Sequence, residues 1–274
     1  NRVQEVMNRK ETVLDKEHPE SFPADFKPVI EFQNVSFRYP GGEDNVLSDI
    51  SFTARPGETT AFIGATGSGK TTIVSLLMRF YDVTSGSIRV SNTDIRDVTK
   101  HDLREKIGYV PQKSLLFSGT IAENLSYADH SMPSERIEKA AEIAQATEFI
   151  LEKEEQYDSH ISQGGTNVSG GQKQRLSIAR ALAKNAPVYV FDDTFSALDL
   201  KTDQRLREAI KRELHGSTIL LVAQRVSTIM YADQIVVLDQ GKIAGVGTHK
   251  ELLKSCDIYY EIASSQLSAE ELQQ

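Results

Sequence analysis

From residue 29 the chain alternates apolar and polar positions with a period of two, through Ile30 and Phe32 and then Val35, Phe37 and Tyr39. The alternation slips between Phe32 and Val35, so a half-buried strand carrying a β-bulge is expected. The run "YPGGEDN" is rich in turn formers, which makes an antiparallel β-layer the expectation here. In "TTAFIGATGSGKTTIVSLLMRFY" an apolar strand, a glycine-rich loop and an amphipathic helix follow one another directly. Further strands are expected at residues 87–90 and 107–111. The unbroken apolar runs at 188–191 and 219–223 read as parallel strands buried on both faces. "IVVLDQGKIAGVG" reads as a hairpin.

Between residues 119 and 183 no strand pattern is visible. "SERIEKAAEIAQATEFI" and "GGQKQRLSIARALAK" have helical periodicity, so a helical segment inserted between strands is expected. The end of the chain, "HKELLKSCDIYYEIASSQLSAEELQQ", reads as helix and then polar tail, with a structural role. Residues 1–27 differ from the rest: Val3, Val6, Met7, Val13 and Leu14 have weak helical spacing, and a charged, proline-bearing stretch follows. A short helix running into a linker and a disordered tail fit that stretch equally well. The first residue is Asn1 rather than Met, as expected of a piece of a longer polypeptide.

Composition narrows the function classes. The 274 residues are 39% hydrophobic and 26% charged, which suits a soluble globular chain of one large α/β domain or two ordinary ones. A formal net charge of −8 argues against general attraction to nucleic acid or anionic lipid. No apolar run approaches the roughly 20 residues of a membrane-spanning helix. The single cysteine, Cys256, excludes an internal disulfide framework and a cysteine-based zinc cluster, fits a reducing compartment, and reads as inert packing.

The chemistry concentrates in two stretches. "GATGSGKT", residues 64–71, has two glycines, a lysine and a hydroxyl at the spacing of a phosphate-binding loop, with a strand before it and a helix after it. Gly64, Gly67 and Gly69 let the backbone curl, and the N–H groups from Thr66 to Thr72, Ser68 included, face phosphate oxygens. Lys70 adds a mobile positive charge, and the Thr71 hydroxyl suits Mg²⁺. The second stretch, "VYVFDDTFSALD", is an apolar strand ending in Asp192 and Asp193. Such a pair suits a metal-bound phosphate; a helix-capping acidic pair is the plainer alternative.

"NVSGGQKQR" at 167–175 resembles the signature of ATP-binding cassette (ABC) proteins, and "VYVFDD" is similar to their Walker B strand. "VPQKSLLFSGTIAENL", with Gln112, resembles the glutamine loop, and "SALD" at 196–199 the loop that crosses to a partner domain. The resemblance covers residues 28–266. "LFSGTIAENL" and "GKIAGVGTHKELL" are phrases of exporters whose membrane helices precede the ATPase domain. What the resemblance implies is an α/β fold: a RecA-like P-loop core with an antiparallel β-subdomain and an inserted α-helical subdomain at about 114–183. Residues 1–27 would then be the linker from a preceding membrane domain, and 28–274 the nucleotide-binding domain.

The resemblance also implies ATP and Mg²⁺ as ligands, at the cytoplasmic face of the cell membrane. Tyr39 would stack on adenine, although it also fits as a plain β-layer aromatic. Thr71, Gln112 and Asp192 would hold the metal. Two such domains meet head to tail, so Ser169, Gly170, Gly171 and Gln172 would cap the ATP of a partner. Val168 stands where leucine or phenylalanine is usual, a packing change. Gln163 stands where exporters place a glutamate facing the partner's coupling helix, or it belongs to a solvated loop. Asp199 could cap a helix, cross the interface, or do both, and His249 reads as structural.

Two departures bear on catalysis. After the Walker B aspartate the family has glutamate, and this chain has Asp193; the lost methylene withdraws the carboxylate by roughly 1.5 Å, about one C–C bond. Where the family has a switch histidine, this chain has Gln224, which hydrogen-bonds but does not titrate. Both fall at the site built on this chain's own phosphate loop. The expectation is a heterodimeric exporter in which this chain carries the impaired site, with Gln112, Asp193 and Gln224 as its catalytic positions. A second ABC subunit with Glu and His would complete a competent site. The alternative is a homodimer hydrolysing slowly through Asp193. An ABC ATPase acting on DNA or ribosomes would bring coiled-coil insertions or a tandem second cassette, neither of which is in this sequence.

Overall fold

The computed structural model describes residues 12–268 and 270–273. The chain lays down β1 (Ile30–Phe37), β2 (Leu47–Ala54) and β3 (Thr59–Gly64), then α1 (Lys70–Leu77), β4 (Ser85–Val90), β5 (Thr93–Asp94), α2 (Lys100–Glu105) and β6 (Ile107–Val110). A largely helical stretch follows: β7 (Gly119–Thr120), α3 (Ile121–Leu125), α4 (Ser134–Ile143), α5 (Thr147–Leu151), β8 (His160–Ile161) and α6 (Gly170–Ala183). The remainder is β9 (Val188–Asp192), α7 (Leu200–Glu213), β10 (Thr218–Val222), α8 (Val226–Ile229), β11 (Gln234–Asp239), β12 (Lys242–Gly247), α9 (His249–Ser255) and α10 (Asp257–Gln266).

Two main sheets result. One is antiparallel, in the order β2-β1-β4-β5; the other has the order β12-β11-β3-β10-β9-β6 and is parallel except for the β11–β12 hairpin. Alternation along the central strands builds layers on both faces of the larger sheet. Phe62, Val188, Val190, Leu220 and Val222 pack with α1 and the antiparallel sheet. Their neighbours Ile63, Tyr189, Phe191, Ile219 and Leu221 pack with α6, α4 and the C-terminal helices. Runs buried on both sides have no polar positions to alternate, which is why they read as continuous apolar stretches.

This is the ABC ATPase fold expected from the sequence: an α/β core, an antiparallel sheet and inserted helices. The slip in β1 is a register shift between Phe32 and Val35, with Asn34 at φ 49. The hairpin closes through Gln240 at φ 44 and Gly241 at φ 75, the mirror-image turn that matches strand twist.

Three expectations change in detail. The helix expected across "SERIEKAAEIAQATEFI" breaks between α4 and α5 at Gln145, φ 56, whose carbonyl accepts from Arg175 Nη1 at 2.7 Å. The stretch 119–183 does contain strands, but β7 and β8 have only two residues each, too few to leave a periodicity. At the N-terminus, residues 12–14 are not helical, Val13 is buried and Leu14 is exposed; the rest of the weakly periodic stretch lies outside the described residues. Among the described residues no helix is long and apolar enough to cross a membrane.

Candidate active site

The glycine loop joins the end of β3 to the start of α1. Gly64, Gly67 and Gly69 have φ of 158, 84 and 104. Gly64 has no room for a side chain, since a Cβ there would lie 2.1 Å from the Leu238 carbonyl oxygen. Helix α1 begins without a side-chain cap and with no acidic residue in its first turn, so its leading N–H groups remain available to an anion. Lys70 Nζ folds back on the loop, donating to the carbonyls of Gly64 at 2.7 Å and Ala65 at 2.9 Å. Burial pushes its ammonium below the usual lysine range, against the pull of the Asp193 and Asp192 charges.

A cavity of about 250 Å³ opens over this loop and brings Thr66, Gly67, Gly69, Lys70, Thr71 and Thr72 together with Gln112, Asp192, Asp193 and Gln224. Parallel pairing accounts for the meeting: Asp192 is in register with Val222 on β10, two residues before Gln224. Gly64 and Ser68 do not line the cavity, and the Ser68 side chain is buried beneath the loop. Tyr39 lines a neighbouring cavity, its hydroxyl 3.1 Å from Thr72 Oγ1.

Asp192 is 2% exposed, and its Oδ1 has no hydrogen-bond partner. Burial, with the Asp193 charge adding and Lys70 opposing, pushes its carboxyl up to about 6. A buried carboxylate oxygen without a partner, beside a threonine hydroxyl and a glutamine amide, fits a hard divalent cation such as Mg²⁺. Asp192, Thr71 and Gln112 are the residues that could hold it, and the cation would neutralise phosphate charge there.

Asp193 is arranged differently. Its backbone is left-handed at φ 47, its N–H donates to the Val222 carbonyl at 2.9 Å, and its carbonyl accepts from Ser196 Oγ at 3.0 Å. One carboxylate oxygen, Oδ2, accepts from Gln224 Nε2 at 2.6 Å and from Gln112 Nε2 at 3.2 Å. A general base needs a lone pair within hydrogen-bond reach of its water, and here two amides occupy one oxygen. Gln266 of α10 braces the loop, donating to the Gln224 carbonyl at 3.0 Å and accepting from Val226 N–H at 2.8 Å. Sequence reasoning missed Gln266, because an outward glutamine on a C-terminal helix has no spacing that marks it. Val46, also lining the cavity, was missed because a lone valine just before β2 carries no motif.

Ser169, Gly170, Gly171 and Gln172 do not line this cavity. They start α6 through a capping box: Ser169 Oγ accepts from Gln172 N–H at 3.2 Å, and Gln172 Oε1 accepts from Ser169 N–H at 3.1 Å. Ser169 is exposed, and its hydroxyl serves the cap as an acceptor. Asp199 caps α7, accepting from Thr202 N–H at 3.0 Å, and that contact holds its carboxyl below the usual range. His249 is buried, with Nδ1 2.7 Å from the Tyr259 hydroxyl, as a structural role requires. Gln163 lies exposed in a short turn.

A parallel sheet, a phosphate loop at the C-terminal end of a central strand and two carboxylates over it define a P-loop nucleotide-binding domain. The chain belongs to the ABC transporter family, whose model matches residues 47–196, and it is an ATP-binding domain with exporter-type relatives. An uncharacterised ABC transporter ATP-binding protein of Mycobacterium tuberculosis (strain H37Rv) is 44% identical over 97% of this chain and 46% of its own length. An ATP-dependent lipid A-core flippase of Syntrophus aciditrophicus is 40% identical over 99% of this chain and 45% of its own. Among solved structures, a bacterial Atm1-family ABC exporter with ATP bound is similar at a TM-score of 0.92 and 35% identity, over 97% of this chain and 46% of that one. The chain thus spans less than half the length of the curated relatives it matches.

Proposed function

We propose that this chain is the ATP-binding domain of a heterodimeric exporter and carries the composite site that binds MgATP but hydrolyses it slowly. The observation that carries the proposal is the double occupation of Asp193 Oδ2 by Gln224 and Gln112, at 2.6 and 3.2 Å. A carboxylate one methylene short, tied to an amide that cannot take up a proton, is a poor device for activating water. The parts that bind are present: the open start of α1, Lys70, Thr71 and the unpartnered oxygen of Asp192.

Ser169, Gly170, Gly171 and Gln172 would cap ATP on a second ABC subunit carrying Glu and His at the positions of Asp193 and Gln224. Binding of two nucleotides would hold the domains together, and hydrolysis at the partner's site would release them. Residues 1–27 would be the linker from a membrane domain, 28–274 the nucleotide-binding domain with a helical part at about 114–183, and the whole would work at the cytoplasmic face of the membrane. Lipid-like or multidrug cargo is proposed by analogy with the lipid A-core flippase and a putative multidrug export relative from Bacillus subtilis.

The competing reading is a homodimer that hydrolyses slowly through the remaining oxygen of Asp193. Steady-state turnover of the chain and of its Asp193→Asn variant separates the two. We expect low turnover that the substitution barely changes; a loss of about 100-fold or more, the usual order for removing a working base, would favour the homodimer.

A further inference from the structure

Arg79 follows the last turn of α1 and is 2% exposed, yet it does not line the phosphate cavity. Its backbone is left-handed, at φ 51, a conformation uncommon for a long side chain. Its guanidinium fills a dense set of acceptors. Nε donates to Asp82 Oδ1 at 3.1 Å; Nη1 donates to Asp15 Oδ1 at 3.2 Å and to the carbonyls of Ile95 and Val98 at 3.2 and 2.8 Å; Nη2 donates to the Leu14 carbonyl at 2.8 Å. Two of these bonds reach the segment that precedes β1. Lys100 fastens the same segment, with Nζ donating to the Val13 carbonyl at 2.7 Å and its backbone N–H to Asp15 Oδ1 at 3.0 Å.

The fastened segment forms part of a wall. Thr12 and Val13 line a second cavity, of about 320 Å³, with Tyr39, Tyr81 and Asp82. Tyr39 connects it to the phosphate cavity, because its hydroxyl lies 3.1 Å from the Thr72 hydroxyl and Thr72 lines the latter. The Tyr39 ring is held edge-on by Phe37 and Tyr81, at centroid distances of 4.8 and 5.1 Å. Arg79 therefore grips Asp82, which lines the cavity with Tyr39, and residues 14–15, which directly follow the lining residues Thr12 and Val13.

We propose that Arg79 is a positioning residue for nucleotide binding: by clamping residues 14–15 and Asp82 it fixes the wall of the cavity that Tyr39 lines, and through Tyr39 it sets affinity for the base. The proposal rests on the ATP-binding reading and is independent of whether hydrolysis is impaired. The two ends of α1 then divide the ligand, with phosphates at its N-terminus and support for the base at its C-terminus. Displacing the segment at residue 12 would loosen that wall and weaken the nucleoside half of the contact alone.

The test compares MgATP with magnesium tripolyphosphate, which lacks base and sugar, as ligands of the full chain. Removing a buried arginine threatens folding, so Arg79→Lys is accompanied by Asp15→Ala and Val13→Ala, with thermal unfolding recorded for each. Base–aromatic stacking is of the order that makes a loss of about fivefold in ATP affinity the expectation for the folded variants, with tripolyphosphate affinity unchanged. An equal loss for both ligands would make Arg79 a general structural anchor and overturn the proposal. Unchanged affinity for both would overturn it as well. If the parent chain bound neither ligand, the ATP-binding reading itself would fall, an outcome distinct from the other two.

Discussion

At Asp193 a short carboxylate lies under two amides, with Gln224 Nε2 2.6 Å and Gln112 Nε2 3.2 Å from the same oxygen. Its neighbour Asp192 is buried with an oxygen that nothing satisfies, and burial raises its carboxyl to about 6. The consequence for stability has a definite sign. Between the ordinary carboxylate range and about 6 the folded chain holds a proton that the unfolded chain releases, so the unfolding free energy falls as pH rises through that window and is level above it. The penalty is on the order of 2 to 3 kcal/mol, two pKa units at 1.36 kcal/mol each. Urea denaturation of the nucleotide-free chain and of Asp192→Asn between pH 4 and pH 8 is expected to give a parent-minus-variant difference in unfolding free energy that falls with pH through this window and is level above it. An identical slope in both would mean that Asp192 is not the group responsible.

Elements place these residues, and the elements differ in how far the sequence revealed them. The period-two stretch of β1, its bulge, the strand–loop–helix of residues 59–77 and the β11–β12 hairpin could be read because each is dictated locally, by alternation, by glycine or by a two-residue turn. The break at Gln145 could not, because the carbonyl it frees is taken by Arg175, 30 residues away on α6. Nor could the brace from Gln266 or the clamp at Arg79, whose partners lie 42 and about 65 residues away along the chain. Within the site, the identities of Lys70, Asp192, Asp193 and Gln224 were legible, but the sharing of one Asp193 oxygen by two glutamines was not. That contact depends on the parallel register of β9 and β10. At the start of α6, Ser169 caps its helix while remaining exposed. Ser169→Ala is expected to cost about 1 kcal/mol of stability through the lost cap, measured by denaturation. ATP affinity at the chain's own cavity is expected to stay unchanged, because Ser169 does not line it. A fall in that affinity would place the signature in the wrong site.

On the scale of the whole molecule, the proposed function gives the chain half of two different sites. One, over α1, would hold phosphates and lack a competent base; the other would be the start of α6, which lies outside that cavity. Such a division suits an assembly in which the faults and the intact parts of one chain serve different nucleotides. The most direct measurement is single-turnover ATP hydrolysis, with MgATP affinity measured alongside, for the chain as it stands and for the Asp193→Glu, Gln224→His double variant. Comparable affinity for both, with cleavage that is slow in the parent and at least about 100-fold faster in the variant, the order expected when general base catalysis is restored, is the predicted result. Equal cleavage rates in parent and variant would contradict the impaired site and leave a homodimeric exporter ATPase as the better description.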